Sequence, residues 1–395
     1  MSVPSVETVA ADDFAQIRAQ VREFVRGEVV PREREIADTD AIPADLRQKA
    51  AAMGLFGYAI PQEFGGLGLA ITQDVELAFE FGYTALSFRS LFGTNNGIAG
   101  QVLVGFGTDE QKKRWLEPMA EGQCIAAFAL TEPEAGSDPS GMHTTATWDS
   151  GGWAINGQKR FITNAPLADL FVTFAKVRGH GDSDGKIAVF LVPSRSPGLT
   201  VGSKDKKMGQ EGATTADVNF DDVRVDAAAL VSGEVETGFR AAMSVLARGR
   251  VHISALAMGL AERALDESVT FSVQNRQGGV PTGEQQLVQA MLAEQQALVL
   301  AGQAMVRETA RKYLDGTDRR IAPSATKLFC TEAAGRVADL AVQAHGGSGY
   351  MREMAVERIY RDVRLLRLYE GTSEIQKLIV GRELIKQERA RVSRA

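Results

Sequence analysis

Glu370 is the acidic side chain in this sequence whose surroundings best suit chemistry. It stands in Leu365-Leu-Arg-Leu-Tyr-Glu-Gly-Thr-Ser373, where apolar and aromatic residues lead into a turn. Loss of solvent raises the pKa of a carboxyl group, which suits a general base near neutral pH. The other interpretation is an exposed glutamate that favours the N-terminal dipole of the next helix. Ser373 and Gln376 have the spacing of a capping box, which predicts that this helix begins there.

Two earlier segments carry hydroxyl and aromatic groups beside predicted strands. Leu130-Thr-Glu-Pro-Glu-Ala-Gly-Ser-Asp138 follows an apolar run, and its Gly-Ser turn can direct N–H and hydroxyl groups at a polar ring edge or a phosphate. In Phe161-Ile-Thr-Asn164, Phe161 and Thr163 can face a flat cofactor. The alternatives are a plain hairpin loop for the first segment and sheet filling for the second. Asn156-Gly157 predicts a tight hairpin just before the second segment.

Two further features lie in helical stretches. Arg250 fills a gap in the apolar stripe of a long helix, where an arginine is costly unless it is paired. It meets either a structural carboxylate or a polar ligand inside the helical bundle. His345-Gly-Gly-Ser-Gly-Tyr350 follows a helical pattern and not a strand, so it is no dinucleotide-binding fingerprint. Its glycines are expected to end a helix and His345 to be a packing histidine.

The elements that must position these residues change character twice along the chain. Residues 1–123 have helical periodicity, and Thr108-Asp-Glu-Gln111 is a capping box. Residues 124–234 alternate with a period of two and contain many turn residues, and residues 235–395 return to long amphipathic helices. The sequence therefore predicts an α+β multidomain fold with an N-terminal all-α domain, a middle β-barrel-like domain and a C-terminal four-helix bundle.

Composition narrows the class of protein. The chain has 395 residues, with 44 Lys and Arg against 50 Asp and Glu, so no basic excess indicates binding to nucleic acid or to a membrane. Two cysteines cannot build a disulfide framework, and four dispersed histidines predict no metal site. No apolar stretch is long enough to span a membrane, and the polar N-terminus predicts no signal peptide. We expect a cytoplasmic protein.

Taken together, the motifs resemble those of the acyl-CoA dehydrogenase family, with a short- or medium-chain character, over nearly the whole chain. The segments that carry the resemblance are Pro61-Gln-Glu-Phe-Gly-Gly-Leu-Gly68, Gly107-Thr-Asp-Glu-Gln-Lys112, Leu130–Asp138, Asn156-Gly-Gln-Lys159, Phe161-Ile-Thr163, Gln343-Ala-His-Gly-Gly-Ser-Gly349 and Tyr369-Glu-Gly-Thr-Ser373. The family shares the α, β, α-bundle order. The resemblance implies FAD between the β domain and the bundle, a homotetramer, and a role in fatty acid metabolism and β-oxidation.

The resemblance also assigns residues to roles. Glu370 matches the catalytic base. Some relatives carry that base just before the residue that matches Arg250, where this chain has Gly249. Residues expected to bind FAD are Phe128, Leu130, Thr131, Gly136, Ser137, Phe161, Ile162, Thr163, Arg276, Gln286, Gln343, Gly346, Gly347, Thr372 and Glu374, and residues expected to bind substrate are Ser137, Leu246, Arg250 and Gly371.

One segment departs from the family pattern. Many relatives have Arg-x-x-Phe-Gly-x-Pro, whose Arg and Phe reach the FAD of a neighbouring subunit, but here Asn275 and Gly278 stand at those positions. We hypothesise that Arg276, one residue later, takes over the phosphate contact.

The reaction implied is α,β-dehydrogenation of an acyl-CoA thioester, with Glu370 taking the α-proton and flavin N5 taking a hydride. In the family, the backbone N–H of this glutamate and a flavin hydroxyl stabilise the enolate oxygen. Electron-transfer flavoprotein is the expected electron acceptor. The alternatives are a flavin-dependent acyl-CoA oxidase on the same fold and a helical module that has lost its cofactor. Polar residues in Leu91–Gly97 hint at a short or functionalised acyl chain, and a loop beside a helix is the other interpretation of this segment.

Overall fold

The N-terminal part of the chain is a layer of helices. The computed structural model describes residues 9–393, so part of the segment that argues against a signal peptide lies outside the described residues. The helices are α1 (Ala11–Phe24), α2 (Glu33–Thr39), α3 (Ala44–Ala52), α4 (Ile71–Gly82), α5 (Leu86–Asn96), α6 (Ile98–Phe106) and α7 (Asp109–Ala120). The capping box at the start of α7 is confirmed, because the Thr108 side chain accepts a hydrogen bond from Gln111 N.

The middle part is a curled sheet, as the prediction of a β-barrel-like domain requires. Its strands are β1 (Ala126–Ala129), β2 (Thr145–Asp149), β3 (Gly152–Thr163), β4 (Leu170–Arg178), β5 (Ile187–Pro193), β6 (Leu199–Val201) and β7 (Thr215–Asp226). The order across the sheet is β1-β4-β2-β3-β7-β6, with β5 also paired to β4. The long strands β3 and β7 form its largest antiparallel pair, and β3 carries Phe161 and Thr163 to the edge of the helical layers.

The hairpin predicted at Asn156-Gly157 is wrong. These residues lie inside β3, at a shift in its register with β7. Gly157 takes a φ of 146°, and a Cβ there would come within 2.5 Å of Thr144 Oγ1. A glycine inside a strand often marks a bulge of this kind. The tight turn lies instead at Ser150-Gly151, whose positive φ values of 51° and 91° suit the link between β2 and β3.

The C-terminal part is built on four long helices, as predicted. They are α8 (Thr237–Gln274), α9 (Gln286–Leu314), α10 (Ile321–His345) and α12 (Ser373–Val392), with the shorter α11 (Ala355–Val363) before α12 and a small hairpin of β8 (Arg276–Gln277) and β9 (Val280–Pro281) after α8. The predicted cap of α12 is wrong by one residue. Thr372 is the N-cap and accepts from Ile375 N, whereas Ser373 donates to Glu332 Oε1.

The N-terminal helices are packed tightly on the bundle. Gly82 of α4 and Gly259 of α8 face each other, and a Cβ on Gly259 would lie 2.1 Å from Phe79 O. One continuous apolar core runs through both helical layers. This close packing fixes α4 and α5 against α8, which makes the helical wall of the site rigid.

Two features are absent from residues 9–393, a membrane-spanning helix and a metal-binding cluster. No helix there is long and apolar enough to cross a membrane. No group of three or more His, Cys, Asp or Glu side chains in the same range is arranged to hold a metal ion.

Candidate active site

A cleft lies between the curled sheet and the helical layers. From the sheet side it is lined by the predicted residues Phe128, Leu130, Thr131, Gly136, Ser137, Phe161, Ile162 and Thr163, and from the helical side by the predicted residues Leu246, Arg250, Glu370 and Gly371. The structure thus brings the predicted base and one half of the predicted cofactor residues to the same place.

Glu370 lies in the cleft. Its backbone is strained, and one oxygen of its carboxylate is buried. Its φ is 53°, in the left-handed region that non-glycine residues seldom adopt, and such strain is concentrated at functional sites. Oε2 is buried and has no hydrogen-bond partner among residues 9–393. Burial raises the pKa of Glu370, although the positive charges of Arg89, Lys327 and Arg250 oppose that rise. This is the environment of a carboxylate that can accept a proton near neutral pH.

The loop around Glu370 is held from below by Lys327 of α10. Lys327 is only 1% exposed, and its Nζ donates to Tyr369 O over 2.7 Å and to Gly371 O over 2.6 Å. Gln376 Nε2 adds a bond of 2.8 Å to Gly371 O. Burial lowers the pKa of Lys327 to about 8, with Glu370 acting in the opposite direction. The carbonyl groups on both sides of the base are therefore fixed by one buried ammonium group.

Gly249 of α8 leaves the space that the Glu370 carboxylate occupies. A Cβ on Gly249 would lie 2.1 Å from Glu370 Oε2. The sequence assigned the base to position 370 partly because position 249 is a glycine. The structure adds the steric reason, since this helix position and the glutamate side chain share the same volume.

Substitution of Gly249 by Ala is expected to displace the carboxylate and to lower kcat about tenfold, because small errors in the position of a catalytic group are costly. Flavin content should stay at the wild-type value. The measurement is steady-state turnover with flavin absorbance as a check on cofactor loading. The matched control is Gly105→Ala, on α6, where no atom lies within 4 Å of an added Cβ. Equal kcat in both variants would contradict the assigned contact.

On the sheet side, a buried ion pair positions the Leu130–Asp138 loop. Lys159 of β3 is fully buried, and its Nζ donates to Glu132 Oε1 over 2.7 Å and to Leu130 O over 3.2 Å. Burial lowers the pKa of Lys159 to about 8, against the attraction of Glu132. Arg160 N also donates to Thr131 O over 2.8 Å. The plain-hairpin interpretation of this loop does not account for a buried charge pair that holds it open to the cleft.

The lining of the cleft fits a flavin. Phe161 is 60% exposed and has a φ of 58°, so a bulge in β3 turns its ring out of the sheet and into the cleft. Open space surrounds Gly136, where an added Cβ would meet no atom within 4 Å. Thr131, Ser137 and Thr163 place hydroxyl groups beside this apolar ring. An aromatic face bordered by hydroxyl groups suits a flat, polar-edged ring system.

Arg250 is buried in the cleft without a structural ion pair. It is 8% exposed, and within residues 9–393 no carboxylate lies within salt-bridge distance of it and its Nε has no hydrogen-bond partner. Its neighbour Arg248 is the one that pairs, with Asp74 at 2.8 Å. Burial lowers the pKa of Arg250, while Glu370 opposes the change. Of the two interpretations of Arg250, the contact with a polar ligand is the one that this geometry favours.

The other predicted cofactor residues lie away from the cleft of this chain. Arg276, Gln286, Gln343, Gly346, Gly347 and Glu374 are exposed, and Thr372 is the cap of α12. Arg276 Nη1 donates to Gly279 O across the small hairpin. His345 is a packing residue, as expected, because its ring stacks on Phe271 and its Nδ1 lies 2.7 Å from Ala341 O.

Sequence reasoning missed a buried charge network behind the base. Arg89 of α5 lines the cleft, and its Nε donates to His252 Nε2 over 2.9 Å. His252 Nδ1 lies 2.7 Å from Asp74 Oδ1. Each of these residues sits on a separate helix with no motif around it. The available signal for Arg89 was a charged residue within an apolar stretch, as for Arg250.

These features are those of an oxidoreductase of the flavin-dependent class, in which a buried carboxylate lines the same cleft as residues suited to a flavin. Sequence models for the N-terminal, middle and C-terminal domains of acyl-CoA dehydrogenases match residues 11–123, 127–223 and 236–385. An acyl-CoA dehydrogenase from Bacillus subtilis is 35% identical over 93% of this chain and 97% of its own length. A 3-(aryl)acrylate reductase from Clostridium sporogenes is 35% identical over 94% of this chain and 98% of its own length. The chain belongs to the acyl-CoA dehydrogenase family.

Solved structures agree with this assignment. The butyryl-CoA dehydrogenase of Megasphaera elsdenii has a TM-score of 0.90 and 30% identity over 96% of this chain and 100% of its own. An acyl-CoA dehydrogenase from Bacillus anthracis, solved with FAD, has a TM-score of 0.89 and 30% identity over 99% of this chain and 70% of its own. A structure from work on the electron-transferring flavoprotein of Acidaminococcus fermentans has a TM-score of 0.90 and 31% identity over 95% and 98%. The protein is an oxidoreductase that acts on acyl-CoA and uses FAD.

Proposed function

We propose that this enzyme converts an acyl-CoA to the trans-2-enoyl-CoA, with Glu370 as the acceptor of the α-proton and FAD as the acceptor of the β-hydride at N5. The observation that carries the proposal is the buried, unpartnered Glu370 Oε2 in a cleft shaped for a flavin. An unpartnered carboxylate oxygen is costly in an apolar site, and it is retained where a proton must be taken.

The backbone around the base supplies the second requirement of the reaction. A thioester α-proton is much less acidic than a glutamic acid, so the developing enolate oxygen must be stabilised. The Glu370 N–H donates no hydrogen bond to any group within residues 9–393, which leaves it free to donate to that oxygen. The left-handed φ of Glu370 lets the carboxylate and the N–H of one residue act on the same substrate. Exclusion of water strengthens both contacts.

Bound FAD supplies the hydride acceptor, and the chain supplies its position. We assign Thr131, Ser137 and Thr163 to polar edges of the flavin, and Phe161 to its ring. Ser137, Leu246, Arg250 and Gly371 are assigned to the substrate. In each case the support is their place on the walls of one cleft.

We propose that the enzyme is a homotetramer whose subunits complete each other's FAD sites. Support comes from the exposed position of Arg276, Gln286, Gln343, Gly346 and Gly347, together with Thr372 and Glu374 at the start of α12. Large apolar side chains in the same region are exposed on the single chain, including Val273, Leu287 and Tyr350. Exposed apolar surface of this kind is typical of an interface.

Arg276 is expected to contact the FAD phosphates of a neighbouring subunit. Arg276→Ala should therefore weaken FAD binding about tenfold, because a charge-assisted hydrogen bond to phosphate is lost. The measurement is the FAD dissociation constant of the apoprotein by flavin fluorescence, with the exposed Arg34→Gln as a control. FAD binding as tight as in the wild type would remove this assignment.

We propose electron-transfer flavoprotein as the acceptor of the electrons, in line with the origin of one of the similar structures. The name of the 3-(aryl)acrylate reductase indicates the reductive direction of the same reaction. One base can serve both directions, because a group that takes the α-proton can also return it. We assign the oxidative direction, for which Glu370 must be ionised before the substrate reacts. The cations Arg89, Lys327 and Arg250 lower the pKa of Glu370, although burial has the larger effect and raises it.

The test is anaerobic addition of saturated acyl-CoA thioesters to the purified holoenzyme, followed by flavin absorbance. We expect rapid bleaching with at least one thioester and reoxidation by electron-transfer flavoprotein. Formation of hydrogen peroxide in air at the rate of bleaching would instead identify an acyl-CoA oxidase. No bleaching by any saturated thioester, together with flavin oxidation of the reduced enzyme by an enoyl-CoA, would identify a reductase.

A further inference from the structure

Arg89 is a charged side chain in the cleft that the reaction itself does not require. It is 9% exposed and belongs to α5, beside Ser90 and Thr94, which also line the cleft. Within the described range of the chain, no carboxylate lies within salt-bridge distance of Arg89, and its two terminal Nη groups make no hydrogen bond. An arginine in this state, facing a ligand cavity, is costly unless the ligand itself provides an anion.

The guanidinium group of Arg89 is held in place by a network of hydrogen bonds between buried side chains. Arg89 Nε donates to His252 Nε2, so His252 must be neutral and carry its proton on Nδ1, which faces Asp74 Oδ1 at 2.7 Å. Asp74 is fully buried and also pairs with Arg248. The network uses only the Nε side of the guanidinium. Its terminal nitrogens are left as a planar fork of donors, the arrangement that matches a carboxylate.

The packing of α5 shows that this orientation is specific. Gly93 lies one turn after Arg89, and a Cβ on Gly93 would come within 2.6 Å of Arg89 Cζ and 2.9 Å of Nη1. The guanidinium therefore lies flat along its own helix, between the backbone of Gly93 and the cleft. Any side chain at position 93 would push it out of this place.

The charge balance at this end of the cleft has a positive excess. Arg89, Arg250 and Lys327 surround one carboxylate, that of Glu370. Lys327 is occupied by two backbone carbonyl groups, but Arg89 and Arg250 are not paired. The buried carboxylate of Asp74 lies behind Arg89 and is paired with His252 and Arg248, so an anion in the cleft can still pair with the free terminal nitrogens of Arg89. The phosphates of CoA are remote from the α-carbon, so the anion must be carried by the acyl chain.

We propose that the substrate is the CoA thioester of a short dicarboxylic acid, whose distal carboxylate binds the terminal nitrogens of Arg89. This deepens the proposed function and rests on it, because it assumes that the α-carbon is placed at Glu370. The acyl chain is short because Arg89 and Glu370 line the same cleft. Only a few carbon atoms can separate a thioester whose α-carbon contacts Glu370 from a carboxylate at Arg89.

The test compares glutaryl-CoA with pentanoyl-CoA, which has the same number of acyl carbons and a methyl group in place of the carboxylate. Binding is measured by calorimetry on Glu370→Gln holoenzyme, which cannot turn over. We expect glutaryl-CoA to bind about tenfold to a hundredfold more tightly, the usual effect of a charge-assisted hydrogen bond in a desolvated site. Succinyl-CoA and adipyl-CoA then report the length that fits best.

Adding Arg89→Gln should remove the preference for glutaryl-CoA while pentanoyl-CoA binding and flavin content change little. Arg89→Lys, which keeps the charge without the fork, should retain part of the preference. The control is Arg34→Gln, on the surface of α2, which should retain all of it. If Arg89 only supports the fold, its substitution will weaken the binding of both thioesters equally, and if it only tunes Glu370, its substitution will change neither in this background. In both cases the preference for glutaryl-CoA survives, and that result overturns the inference.

The wild-type holoenzyme gives an outcome that does not depend on any variant. If pentanoyl-CoA bleaches the flavin with a kcat/KM equal to or above that of glutaryl-CoA, the dicarboxylic substrate is excluded while the proposed function stands. If no saturated thioester of either kind bleaches the flavin, the proposed function itself fails. Preferential bleaching by glutaryl-CoA that is lost in Arg89→Gln supports both.

Discussion

Glu370→Gln is expected to lower kcat by about a thousandfold or more, while the protein still binds FAD and acyl-CoA. General base catalysis contributes about 10²–10⁴ to a rate, and glutamine has nearly the same shape as glutamate but cannot take the α-proton. The loss should fall on kcat with little change in substrate affinity. The measurements are anaerobic flavin bleaching in single turnover and calorimetric titration with substrate.

A matched control for this variant is Glu388→Gln, an exposed carboxylate on α12 whose partner is Arg391. It should leave turnover unchanged. Turnover of Glu370→Gln within about tenfold of the wild type would show that the proton leaves to another group, because the effect would then lie below the range of general base catalysis. Of the other charged groups at this end of the cleft, Arg89 and Arg250 stay protonated, and Lys327 Nζ is occupied by its hydrogen bonds to Tyr369 O and Gly371 O.

Lys327→Met is expected to lower kcat about a hundredfold, the second largest effect that the structure indicates. The variant keeps the length of the side chain but removes the ammonium group that holds Tyr369 O and Gly371 O. Both carbonyls then lose a buried donor, and the left-handed loop that aims Glu370 is free to relax. A displacement of a catalytic group by about 1 Å is enough for a loss of this size. The measurement is kcat and KM for the same acyl-CoA.

A positioning role for Lys327 is separated from a general structural one by a double-mutant cycle. If Lys327 acts through Glu370, the double variant Glu370→Gln with Lys327→Met should be no slower than Glu370→Gln alone, because the second change removes an effect already lost. A further loss in the double variant, with reduced flavin content, would instead assign Lys327 to the stability of the fold. Lys312→Met, at a partly exposed lysine of α9, is the control.

The two walls of the site are positioned by different physical means. On the sheet side, the Lys159–Glu132 pair is buried under the Leu130–Asp138 loop, which we assign to the flavin, and removal of either partner would leave an uncompensated charge. On the helical side, a buried lysine bonded to carbonyl groups holds a strained turn. Both devices fix backbone and not side chains, so the groups that contact ligands are presented by rigid main chain.

The sequence by itself determined the order of the layers, and it predicted Glu370 as the base. Apolar periodicity changes from the helical to the strand period and back, and these local patterns decide which elements form. Several weak motifs in the right order indicated the family, and Glu370 with Gly249 indicated where the base stands. Local sequence did not decide the structure where turn composition and strand pairing favour different conformations. Asn156-Gly157 has the composition of a hairpin, but pairing with β7 keeps it inside a strand.

Only the tertiary structure decided which charges surround the base. Arg89, Arg250 and Lys327 lie on three helices that are distant in the sequence, and no spacing rule connects them to Glu370. Whether a buried charge is paired, unpaired or aimed at a ligand depends on distances between elements, because electrostatic energies change steeply with separation and burial. Local sequence fixes the period of a helix, but it does not fix which residue of another helix lies opposite. The class of reaction could therefore be predicted from the sequence, whereas the inference of a free carboxylate on the acyl chain required the folded cleft.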